Sequence, residues 1–289
     1  MIIMKRHNKI LVFLIIAALA VGVLTGCARN ADEVSTGKTN SIEEIKKRGT
    51  IRIGVFSDKN PFGYLDENGE NQGFDVYIAR RFAKDLLGDE SKVEFILVDA
   101  ASRVAFLESN KVDIIMANFT VTDERKEKVD FANPYMKVSL GVVSPESAPI
   151  NSIEDLEGKK AIIAKGTTAE TYLTKNHPEI VELKFDQYTE IFEALKDGRG
   201  AAIVNDNTEV IAWANQNPGF VVGIPNLGDQ DTIAPAVRKG NQELLDWINN
   251  ELTELGKENF VHEAYDETLL DVYGENFREE LVIEGGIIE

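Results

Sequence analysis

The sequence predicts an α/β protein of two lobes, each a central, mostly parallel sheet flanked by helices, the two joined by a two-strand hinge. Three observations predict it. Strand-like and helix-like segments alternate along the chain, the pattern of parallel sheets covered on both faces. Ser41-Ile-Glu-Glu-Ile resembles Ser152-Ile-Glu-Asp-Leu, and basic residues, a glycine and a β-rich run follow each, so two units open in the same way. A further β segment at 231–237 and a helical stretch after 242 read as a return to the first unit. Residues 41–137 and 236–289 therefore make lobe 1 and residues 138–235 lobe 2, with chain crossings near 137–142 and 229–235 that act as a hinge.

Residues 1–26 stand apart from this plan. Lys5, Arg6 and Lys9 precede an uncharged apolar run from 10 to 24, too short for an ordinary membrane span and suited to a signal peptide. The run ends in Leu24-Thr25-Gly26-Cys27, which resembles a bacterial lipobox, and Cys27 is the single cysteine of the chain, at the position lipidation requires. The expectation is a lipid anchor on Cys27 and an extracytoplasmic location at the bacterial cell membrane. Removing residues 1–26 takes away three cations and no acids, which moves the net charge from −18 to −21. That balance excludes nucleic acid as a partner, since displacing its counterions needs clustered Lys and Arg. Residues 27–40, polar and without apolar periodicity, read as a flexible tether.

The elements follow in order. Ser41-Ile-Glu-Glu is a capping box that opens a short helix ending near Gly49. Residues 50–56 are a strand, and 57–65, with Pro61-Phe62-Gly63-Tyr64, form a turn-rich loop at its carboxyl end. Residues 75–87 carry apolar side chains at helical spacing, 93–98 alternate as a strand, 102–108 are helical and 112–116 form a buried strand. In the second unit, β-branched residues at 138–143, strands at 161–164, 181–185 and 201–204, and helices from 169 and near 190–196 repeat the alternation. Residues 242–259 are helical.

The stretch from 118 to 135, Asn-Phe-Thr-Val-Thr-Asp-Glu-Arg-Lys-Glu-Lys-Val-Asp-Phe-Ala-Asn-Pro-Tyr, carries the chemistry. Thr122 is placed to N-cap a short helix with Asp123 and Glu124 in its first turn, which puts Arg125 one turn in. A guanidinium fork matches a carboxylate bidentately, and the Thr120 and Thr122 hydroxyls are placed to share the anion. The competing reading pairs Arg125 with Glu124, Asp130 or another surface acid. Five loops converge on one sheet edge: 57–64, 100–103, 118–125, 165–168 and 205–208. Asp206, just past a strand, is either the acceptor of an ammonium or a helix N-cap. Gly166, Thr167 and Thr168, after Lys165, either offer backbone donors to an anion at a helix N-terminus or make an ordinary strand-to-helix turn. Phe62 is either a wall for a ligand or plain core. His177 and His262 show no metal spacing, and no cofactor or metal is expected.

Together the lipobox, the Gly-Phe-Asp-Val block at 73–76, the 118–135 stretch, Lys-Gly-Thr-Thr at 165–168 and Asp206 resemble family 3 extracellular solute-binding proteins of amino-acid ABC transporters, from about residue 41 to the end. The resemblance implies the periplasmic-binding-protein type II fold and a monomer that is not an enzyme. By the same resemblance the expected role is to capture a free amino acid and hand it to ABC permease subunits. It assigns the ligand α-carboxylate to Arg125, the α-ammonium to Asp206, accessory donation to Thr120 and Thr168, and stacking to Phe62. Asn118, Thr167, Gly166, Tyr64 and Lys165 complete the expected ligand-binding set. Arg103 resembles the arginine of binders of acidic and small polar amino acids. The segments Tyr135-Met-Lys-Val-Ser-Leu-Gly-Val-Val-Ser-Pro, Asp206-Asn-Thr and Thr232-Ile-Ala-Pro-Ala-Val look most like the cysteine-binding branch. Cysteine is the expected ligand and aspartate or glutamate the alternative, with a lipid-anchored dehydratase or a sensor module on the same scaffold as the rivals from other classes.

Overall fold

The first sheet forms because short β-branched runs are buried on both faces. The computed structural model describes residues 41–287, so the expectations for 1–26, for Cys27 and for the tether lie outside the described residues. Helix α1 (Ile42–Arg48) starts where Ser41 Oγ accepts the Glu44 N–H at 3.2 Å and stops at Gly49, whose φ of 79° is left-handed. Strand β1 (Ile51–Val55) follows at once. The small strands β2 (Asp58–Lys59), β3 (Gly63–Leu65) and β4 (Asn71–Gln72) then make an antiparallel flap, and α2 (Phe74–Leu87) leads to β5 (Val93–Leu97). Helix α3 (Arg103–Glu108), β6 (Ile114–Ile115), α4 (Asp123–Lys126) and β7 (Val129–Phe131) complete the first pass.

The second sheet is entered through β8 (Met136–Pro145), a ten-residue strand. After it come β9 (Lys160–Ala164), α5 (Thr168–Asn176), β10 (Val181–Phe185), α6 (Tyr188–Lys196), β11 (Ala202–Asp206), α7 (Asn207–Gln216) and β12 (Phe220–Ile233). The chain returns to the first sheet as β13 (Ala236–Arg238) and closes with α8 (Gln242–Gly256) and α9 (Phe260–Thr268). The strand orders are β5-β1-β6-β13-β7 and β10-β9-β11-β8-β12. Val76, Ile78, Ala79 and Phe82 on α2 pack with Ile51 and Ile53 of β1 and with Leu252 of α8 and Val261 of α9, one continuous apolar core.

The sheets are mixed rather than mostly parallel. β1 runs parallel to β5 and β6, and β9 to β10 and β11, but β13 is antiparallel to β6 and β7, and β8 to β11 and β12. The physical reason is the excursion itself: a chain that leaves one sheet and returns beside its own exit must run in opposite directions there. The exit and return pair as Val138↔Asp231, Lys137↔Thr232 and Met136↔Ile233. Beyond these pairs β12 slips register three times against β8, and it begins at Phe220, well before the β segment expected at 231. Among the described residues no helix is long and apolar enough to cross a membrane.

Candidate functional site

The two arginines are placed by local sequence. Thr122 Oγ1 accepts the Arg125 N–H at 3.2 Å and caps α4, as its position predicts. Arg125 then reaches back, donating from Nη1 to Thr120 O at 2.7 Å and from Nη2 to Gly166 O, on the far lobe, at 2.9 Å. Arg103, at the first turn of α3, donates to Ala100 O at 2.9 Å, to Ala117 O at 3.0 Å and to the same Gly166 O at 3.1 Å. The Phe119 ring lies 4.3 Å from the Arg103 guanidinium and 4.8 Å from that of Arg125. Neither guanidinium forms an ion pair among the described residues, and Asp130 is taken by Lys239 at 2.7 Å. Burial first, and then the Arg103 charge, push Arg125 down to about 9, and burial lowers Arg103 as well. Two cations that share one carbonyl, Arg103 buried and Arg125 half-buried on the cavity wall, make a strong anion site.

Asp206 is not a helix cap. It precedes α7 without a side-chain bond to the helix, and its Oδ2 instead accepts from Asn118 Nδ2 at 2.8 Å and from Lys59 Nζ at 2.7 Å, both from the first lobe. Both contacts fall on Oδ2, which leaves Oδ1 for a further donor. The sequence reading missed Lys59. Its loop was flagged for its turn residues, and a lysine in a flap ordinarily reads as solvated. Here it is fully buried, with its Nζ 4.7 Å from the Tyr188 ring centre, 5.6 Å from Phe56 and 5.9 Å from Phe62. Burial opposes its charge, but Asp206 and its neighbouring acids outweigh that and raise its pKa.

Two further buried acids support the cluster. Asp75, from the Gly-Phe-Asp-Val block, accepts the Asn118 N–H at 2.7 Å and the Tyr135 hydroxyl at 2.6 Å, and burial lifts it to about 6. Glu209 is pushed by burial to about 8, and its Oε2 has no hydrogen-bond partner. At the lobe junction Asp58 Oδ2 accepts the N–H groups of Tyr188 at 2.7 Å and Thr189 at 3.3 Å, at the start of α6.

The other expected residues separate. Gly166 meets the arginines through its carbonyl, not as an N–H donor, because its N–H is taken by Glu170 at 2.7 Å. Thr167 caps α5, its hydroxyl donating to Ala164 O at 2.7 Å. Thr168 lines a cavity of about 940 Å³ whose wall also includes Arg125, Gly166, Leu140, Leu227 and Asp231. The buried Lys59, Asn118 and Asp206 form no part of that wall. Three expectations need correcting. Phe62 is fully buried in the core with Ile45 and Phe74, where its ring encloses Lys59 and does not line the cavity. Tyr64 pairs with Asp58 across the flap and enters no bond of the cluster. Lys165 points to the surface, where it pairs with Asp186 at 3.0 Å.

A fold of two mixed α/β sheets, with an anion site from one lobe facing an acid from the other, defines a cleft receptor for a small charged molecule. Residues 51–269 match the model for bacterial extracellular solute-binding proteins, family 3, and the chain belongs to that family, with the periplasmic-binding-protein type II fold. The solute receptor for L-cysteine of Neisseria gonorrhoeae is 56% identical, with a TM-score of 0.83 over 84% of this chain and 100% of that one. The cysteine-binding protein of Campylobacter jejuni is 55% identical at the same TM-score, over 84% and 98%. A glutamine-binding protein of Geobacillus stearothermophilus is 37% identical over 235 residues, 76% of this chain and 89% of that protein.

Proposed function

We propose that this protein captures a free amino acid between its lobes and delivers it to an ABC permease, held at the membrane by a lipid on Cys27. The observation that carries the reading is the placement of the half-buried Arg125 and the buried Arg103 on one lobe and the buried Asp206 on the other within one bonded cluster. In this reading Arg125 takes the α-carboxylate and Asp206 Oδ1 the α-ammonium, with Thr120 and Thr168 as accessory donors. A zwitterion that touches both lobes binds the closed arrangement better and shifts the population toward it, with β8 and β12 as the hinge. Cysteine is the favoured ligand, supported by the two cysteine receptors above. Aspartate or glutamate is the second reading, favoured by the excess of cations around Arg103.

The test is a thermal-shift screen against the twenty amino acids and cystine, with calorimetry on each hit. A ligand at roughly 100 times its Kd adds about 2.7 kcal/mol to the folded state. A selective rise with cysteine supports the reading, and a rise with aspartate and glutamate alone moves it to the second. Silence across the panel, with folded protein verified by circular dichroism, removes amino-acid capture.

A further inference from the structure

Lys59 has no part in the reading above, yet it stands at the centre of the cluster. Its strand belongs to the flap of the first lobe, and its ammonium contacts Asp206 at 2.7 Å and the Tyr188 hydroxyl at 3.4 Å on the second. Three rings surround it, so water does not screen it. The groups facing Lys59 are Asp206, Tyr188 and Glu209 from β11, α6 and α7, with Asp58 next to it in β2. Glu209, held up by burial at about 8, adds little negative charge at neutral pH, and Asp75, at about 6, adds most of one. Both Asp75 oxygens are also already committed, to Tyr135 and to Asn118. The cleft therefore gathers the buried Lys59 and Arg103 and the half-buried Arg125 against the buried Asp206 and Asp75, with the half-buried Asp231 beside Arg125 on the cavity wall.

A neutral zwitterion does not correct that balance. Its carboxylate and ammonium cancel, and a cation stays buried without a full counter-charge, which is costly. A ligand that brings a second anion corrects it. Resting on the amino-acid-capture reading, we propose that Lys59 is a specificity-determining residue of the cleft, selecting amino acids whose side chain bears a second anion, the thiolate in the case of cysteine. In that case the S–H bond breaks with its electron pair staying on sulfur, and the proton leaves to the buffer. Nothing is oxidised. With Asp206 Oδ2 on Lys59 and Oδ1 on the ligand ammonium, one carboxylate sets the distance between the ammonium and the side-chain anion.

The experiment is calorimetry of the purified protein at pH 7 with cysteine and serine, and with aspartate and asparagine, in two buffers of different ionisation enthalpy. A free thiol with pKa about 8.5 is protonated at this pH, and a neighbouring cation lowers such a group by about 1 to 3 units, so cysteine binding releases roughly a fifth of a proton to one proton. Lys59→Met is expected to cut that release by at least half and to shrink the cysteine-over-serine affinity ratio roughly tenfold, while Lys59→Arg keeps both. A merely structural lysine would weaken all ligands alike and leave the ratio unmoved. If aspartate proves the ligand, the aspartate-over-asparagine ratio decides in the same variants. Cysteine binding without proton release, or an unchanged ratio in Lys59→Met, overturns this proposal alone. Absence of binding by every amino acid overturns the capture reading and this with it. Should Lys59→Met fail to fold, the wild-type buffer pair and Lys59→Arg still decide, since release must appear in the one and persist in the other.

Discussion

The N–H of Asn118 donates to Asp75 Oδ2 at 2.7 Å, and that one bond fixes the loop from which the anion site is built. Asn118 sits at φ 43°, left-handed for a residue with a Cβ. From there its side chain reaches Asp206 while its carbonyl accepts from Arg103 at 3.3 Å. An acid buried in α2 thus shapes the site through the backbone of Asn118.

Arg125→Ala should abolish binding at micromolar ligand. Truncating one partner of a buried charge pair costs about 2 to 5 kcal/mol, whereas the bonds lost in the free protein are two contacts to carbonyls. Calorimetry gives the affinity and circular dichroism the fold; retained affinity would remove Arg125 from the site.

Gly166→Ala should weaken binding by blocking the approach of the lobes. Gly166 sits at φ 73°, and a Cβ there would lie 2.5 Å from Ala101 Cα and 2.7 Å from Ala101 N. The left-handed backbone adds a cost of about 1 kcal/mol or more to folding. Small-angle scattering with saturating ligand should find the variant more extended than the wild type, and identical profiles would argue against a steric block.

Asp58→Ala should act on dissociation. The carboxylate accepts two N–H groups at the start of α6, where a negative charge contributes about 1 kcal/mol with the helix dipole. Stopped-flow fluorescence should show the ligand leaving roughly fivefold faster, with association little changed. An unchanged off-rate would mean that this contact is already made in the open form.

Asp75 gives a pH dependence of stated sign. Burial raises it from 3.8 to about 6, so between those values the folded chain holds a proton that the unfolded chain has lost. Its contribution to stability is therefore greatest below pH 4, falls as pH rises towards 6, and is flat above, a change of about 3 kcal/mol. Asp75→Asn should remove that slope. Urea unfolding of both proteins from pH 4 to 7 measures it, and a difference independent of pH would place the carboxyl in a wetter setting.

Much of this was legible in the chain because local rules agree with the global fold. The Ser41 and Thr122 caps and the strands before each loop follow from residue type and spacing, whereas the roles of Arg125, Arg103, Asn118 and Asp206 come from the family resemblance. What escaped is set by tertiary packing. Nothing in Asp58-Lys59 distinguishes a flap lysine in water from one enclosed by three rings, because Tyr188 comes from the other lobe. The choice between ligand wall and core for Phe62, and the outward turn of Lys165, escaped for the converse reason: a loop at the right edge still turns some side chains into the core or out to solvent. The antiparallel strands escaped because alternation of elements reports order along the chain and not strand direction.

The flap strand β2 is two residues long, and each of its residues grips a different piece of the second lobe: Asp58 the start of α6, and Lys59 the acid that ends β11. Backbone this short has no slack, so one residue cannot shift without carrying its neighbour. The flap thus ties the docking of α6 to the ion pair between Lys59 and Asp206, so that losing either grip strains the other.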